Sequence, residues 1–91
     1  MRKHGPIRAK KIRQRLDDLR AAQVLEDLRH APGRCHELKG DRAWQLSLDL
    51  DHPYRLIFEP ANNPIPTKED GGLDWTGVTA VIIIGVEDTH E

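Results

Sequence analysis

The stretch RCHELKGDRAW, residues 34–44, sets Cys35, His36 and Lys39 beside a Gly40-Asp41 turn. Three chemistries could use such a cluster. A metal site would need ligands spaced to share one face, and His36 with the histidines at 4, 30, 52 and 90 forms no CxxC, HxxxH or HExxH pattern. Scattered surface histidines explain that set better, so no cofactor or metal is expected. A thiol nucleophile would need a base on its own side. In an extended segment, however, adjacent side chains such as Cys35 and His36 point opposite ways. Phosphate handling is the third chemistry. His36, Lys39, Arg55 and His90 lie far apart in sequence but converge if the intervening segments pair as strands. Lysine and arginine would hold a phosphate and its developing charge, while a histidine or Asp88 would move protons. On residue types alone, ordinary surface charge is the simpler account.

The elements that would position these groups can be read from periodicity. Residues 7–20, IRAKKIRQRLDDLR, carry Ile7, Ile12, Leu16 and Leu19 near one stripe, with Pro6 suited to a first helical turn. Residues 21–29 are expected to form a second short helix, and Pro32-Gly33 to end the helical part. From Trp44 to Leu50 apolar and polar residues alternate, which predicts a half-buried strand. Asp51-His52-Pro53 makes a turn, and residues 54–59, YRLIFE, return as an antiparallel partner. Tyr54, Leu56 and Phe58 share one face of it, leaving Arg55 on the other, open if the helices cover the apolar side. Residues 60–77 read as a long Pro-, Asn- and Gly-rich loop in which Trp75 could anchor to the body. The nearly all-apolar run 78–86, VTAVIIIGV, predicts a central strand covered on both faces. The fold class is therefore α+β: two N-terminal helices packed on one face of a small antiparallel β-sheet, in a single domain spanning residues 1–91.

Charge is unevenly distributed. Residues 1–20 hold eight Lys or Arg and two Asp, a net of +6, whereas residues 21–91 hold six Lys or Arg and thirteen Asp or Glu, a net of −7. A basic arm on an acidic body points to an anionic partner for the arm, either nucleic acid or an acidic protein segment, or to a solvated helix face. One cysteine excludes an internal disulfide, no apolar run approaches the about 20 residues that span a bilayer, and no apolar leader follows the basic opening. A cytoplasmic location with no membrane role is expected.

HELKGDRAWQLSLDLDHPYRLIFEP, residues 36–60, followed by a hydrophobic strand and VEDTHE, resembles the HigB branch of the RelE/ParE toxins, also known as plasmid maintenance killer proteins. The resemblance rests on Leu38-Lys39-Gly40-Asp41-Arg42, on Tyr54-Arg55-Leu56-Ile57-Phe58 and on Asp88-Thr89-His90, and runs from Leu16 to Glu91. It implies a metal-independent, ribosome-dependent mRNA endonuclease in which the message's own 2′-hydroxyl attacks the adjacent phosphate. It also implies His36 and His90, with Asp88 alongside, as acid–base groups, and Lys39 and Arg55 as phosphate-facing cations.

The implied partners are a cognate HigA-like helix-turn-helix antitoxin, mRNA on the ribosome, and operator DNA only through the antitoxin. Two departures stand out. Thr89 occupies the position of the family's tyrosine and cannot stack on a base. Family members also begin with a strand before the helices, and the few residues available here are too short for it, which leaves one sheet edge open to a partner strand or self-association. The competing reading is a ParE-like, gyrase-binding toxin, or a catalytically weak homologue that acts mainly as an antitoxin-binding subunit.

Overall fold

The structure, a computed structural model, describes residues 5–88. These begin in helix α1, Gly5–Ala21, with Pro6 in its first turn where a missing N–H is tolerated. Its apolar stripe is thin. Ile12, Leu16 and Leu19 pack on the core, but Ile7 lies off the stripe and is 64% exposed. Arginines do the rest of the docking. Arg8 meets Asp51 through both Nε and Nη2, at 3.1 and 3.0 Å, and its guanidinium lies 3.4 Å from the centre of the Tyr54 ring. Arg15 is buried and donates from Nε to the main-chain oxygen of Asp49 at 2.9 Å. Each long stem covers apolar surface while the head is satisfied by a fixed acceptor.

The expected second helix is a four-residue 3-10 turn, Leu25–Leu28. Val24 enters it in extended conformation, and the Asp27 carboxylate takes the main-chain N–H groups of Gln23 and Val24 at 2.9 and 3.3 Å. Those bonds cap a new turn instead of continuing α1. Leu25 and Leu28 still reach the core as the residue pattern demands.

The sheet has four antiparallel strands in the order β1 (His36–Glu37), β2 (Leu46–Asp49), β3 (Tyr54–Pro60) and β4 (Val81–Asp88). Gly33 is required where the chain enters β1. It has φ +104°, its carbonyl accepts from the Asp49 N–H at 2.7 Å, and an added Cβ would lie 2.8 Å from Arg15 Nε. Leu46, Leu48, Leu56 and Phe58 face α1 and form the core together with Leu25, Leu28, Leu73, Trp75 and Val78.

The loop between β3 and β4 is pinned to that core by Trp75. Its Nε1 donates to Glu37 at 2.8 Å, and the Arg29 guanidinium stacks 4.2 Å from its ring. Strand β4 corrects the expected central strand. Among the described residues it sits at the sheet edge, with Ile82, Ile83, Ile84 and Val86 each at least 40% exposed. No helix among the described residues is long and apolar enough to cross a membrane.

Candidate functional site

The face of the sheet turned away from α1 is polar because β2 and β3 alternate. In the strand register His36 pairs with Ser47, which pairs with Ile57, and Asp49 pairs with Arg55, which pairs with Glu87. Paired residues share a face, so His36, Ser47, Asp49, Arg55 and Glu87 all stand on this one. Arg34, two residues before His36, joins the same strip. Its Nε donates to Asp49 Oδ2 at 2.7 Å, and Arg55 Nε comes within 3.4 Å of Asp49 Oδ1. That second contact is an ion pair without hydrogen-bond geometry, since the buried Oδ1 has no hydrogen bond among the described residues. Two guanidinium groups thus share one carboxylate, and among the described residues no hydrogen bond takes up their Nη donors. A row of this kind carries an excess positive charge and presents a planar fork suited to phosphate oxygens.

His36 is held by its neighbours. The Arg34 carbonyl can only accept, so Nδ1, 2.8 Å away, donates to it. In the neutral ring this contact leaves the lone pair on Nε2. Ser47, fully buried, offers its hydroxyl to Nε2 at a long 3.4 Å. This tautomer makes Nε2 a competent proton acceptor. The backbone that sets the geometry is strained: Arg34 has φ +49°, a conformation uncommon for residues with a side chain.

Arg42 crosses from the β1–β2 connection to β4. Its Nε donates to Gln45 at 2.9 Å and its Nη1 lies 2.8 Å from Glu87, which raises the guanidinium pKa through that hydrogen bond. Ser47 and Ile57, which pair with each other on this face, are completely buried there.

The five residues marked by sequence fall in different places. His36 and Arg55 share the polar face in adjacent rows. Lys39 stands exposed just past β1, before the turn at Gly40, where φ is +74°, and no described ion pair draws it to that row. Asp88 pairs with Tyr54, which puts it in register on the helix side of the sheet, opposite Arg55. His90 lies outside the described residues, as does Thr89.

His36 lines a cleft with Arg29, Lys68 and Trp75, whereas Arg34 and Arg55 line a hollow with Asp49 and His52 at the β2–β3 turn. Cys35 turns toward the core, and burial pushes its thiol up to about 12, far from the reactive range. Sequence reasoning missed Arg34, Asp49 and His52. The signal was available: extended spacing puts Arg34 on the side of His36, and strand alternation puts Asp49 with Ser47 away from the leucines.

The chain matches a known family. The family model described as the RelE-like toxin of type II toxin-antitoxin system HigB covers residues 1–68. No curated protein and no solved structure matches the chain.

Proposed function

The chain belongs to the HigB-like toxins, the RelE-like toxins of type II toxin–antitoxin systems, and from that membership we propose that it is a ribosome-dependent mRNA endonuclease. As a type II toxin it has a cognate antitoxin for its partner; that this antitoxin is a HigA-like helix-turn-helix protein, and that the pair acts in the cytoplasm, belong to the proposal.

The observation that carries the reading is the Arg34–Asp49–Arg55 row on the same face as His36, whose Nδ1 donates to the Arg34 carbonyl. Cleavage needs no protein nucleophile. His36 Nε2 takes the proton of the message's 2′-hydroxyl, and the oxygen attacks the adjacent phosphorus. The bond to the 5′ oxygen of the next nucleotide breaks as that oxygen is protonated. A 2′,3′-cyclic phosphate and a 5′-hydroxyl result. Arg34 and Arg55 hold the non-bridging oxygens as charge grows on them, which is the largest contribution a site of this kind can make. Lys39 adds charge along the message's path from the β1–β2 turn. The acid for the leaving oxygen is assigned to His90, with Asp88 preceding it, on the strength of the family resemblance.

Expression without antitoxin tests the proposal. Growth arrest with cleaved message on purified ribosomes is the expected result, and Arg55→Ala should relieve it. Intact message accompanied by DNA breaks and filamentous cells would instead establish the gyrase-binding reading.

A further inference from the structure

Strand β4 is eight residues long, and among the described residues nothing pairs with its outer edge. Natural sheets blunt such an edge with charge, proline or a cover. This one carries none of these over its central part: Ile82, Ile83, Ile84 and Val86 are 52, 41, 45 and 40% exposed. An edge of that length and hydrophobicity is a template for another strand.

A bulge in β4 determines which strand fits. Ile57 pairs with Gly85 and Phe58 with Ile83, so Ile84 is the extra residue and the alternation shifts by one position there. Val81 and Ile83 before the bulge, and Val86 and Asp88 after it, therefore all register on the helix side. Read in the reverse direction, the strand repeats this pattern. Laid antiparallel against a copy of itself about an axis between positions 84 and 85, it opposes Ile83 to Val86 and Val81 to Asp88, with every pair on matching faces. A strand without the bulge would set these pairs on opposite sides.

Charge follows the same symmetry. Arg20 of α1 lines a groove with Leu16, Leu19, Val81 and Ile83, while the other end of β4 carries Asp88 on that same side of the sheet. In the antiparallel pair the partner's Asp88 arrives opposite Val81, on the side of the sheet where Arg20 lies. A net charge of −1 adds little repulsion between copies.

The geometry points to a second copy of this chain as the occupant of the β4 edge, in a two-fold dimer whose sheet runs continuously through both copies. It is independent of the nuclease reading. Light scattering on the full chain should give twice the chain mass at micromolar concentration, and Ile83→Lys should reduce this to a monomer with an unchanged circular dichroism spectrum.

Register is tested separately by cysteine pairs in a Cys35→Ser background. Ile83→Cys with Val86→Cys should form a covalent dimer on oxidation, while either cysteine alone should not. The two positions lie too far apart along one strand to bridge within a chain. A wild-type monomer at these concentrations, or a dimer that resists Ile83→Lys and fails to cross-link, overturns the proposal. So does β4 amide protection that arises only when antitoxin is added.

Discussion

The two faces of this sheet use the same strands for opposite purposes. On the α1 side, Leu46, Leu48, Leu56 and Phe58 are all but sealed from water. On the other side the intervening residues hold Arg34, His36, Asp49 and Arg55 in a strip that stays open. The apolar face draws its stability from burial and tolerates no loss of volume. The polar face buries Ile57 and Ser47 but orders its charged groups through shared partners. The difference teaches that substitutions on alternate residues of one strand should separate stability from activity.

Phe58→Ala is the largest test. It empties a fully buried site and should cost about 3–5 kcal/mol, enough to unfold much of the protein in a denaturant titration. Gly33→Ala comes next. The positive φ and the close approach to Arg15 should cost about 1–3 kcal/mol, with the loss visible as a lower midpoint. Arg55→Ala should sharpen the contrast, because the chain should keep its stability to within about 0.5 kcal/mol while message cleavage is abolished. A large drop in stability for Arg55→Ala would break the comparison.

The smallest effect concerns pH. The Cys35 thiol is raised to about 12 by burial, so the folded state holds its proton more tightly than the unfolded chain does. Its contribution to stability is complete below the ordinary thiol pKa and is lost as pH rises from there toward 12. In the folded protein, thiol alkylation at mildly alkaline pH should be slow, and it should speed up on adding denaturant.

Much of this architecture could be read from residue order. The alternation through β2 and β3 identified both strands and the side on which Arg55 stands. The helix 7–20 was visible from Ile12, Leu16 and Leu19, although its arginine contacts depend on distant residues and left no local trace. Residues 21–29 misled because helical spacing of Val24, Leu25 and Leu28 also fits a 3-10 turn, and the choice was made by the Asp27 carboxylate. The run 78–86 announced a strand but not its place. An apolar strand covered on both faces and one left bare at an edge have the same composition. His36 and Arg55 were found because their types suit the chemistry, whereas alternation alone sets Arg34 and Asp49 on that side and only the pairing of the strands shows that they meet.

Asp49 belongs to both halves of the molecule at once. Its main-chain oxygen receives Arg15 from the helix, and its carboxylate gathers Arg34 and Arg55 beneath the sheet. Substitution at position 49 bears on only one of these, since every residue brings the peptide oxygen that Arg15 uses. Asparagine is the sharpest such change, because it keeps the shape of the side chain and removes only the negative charge that keeps the two guanidinium groups from repelling each other.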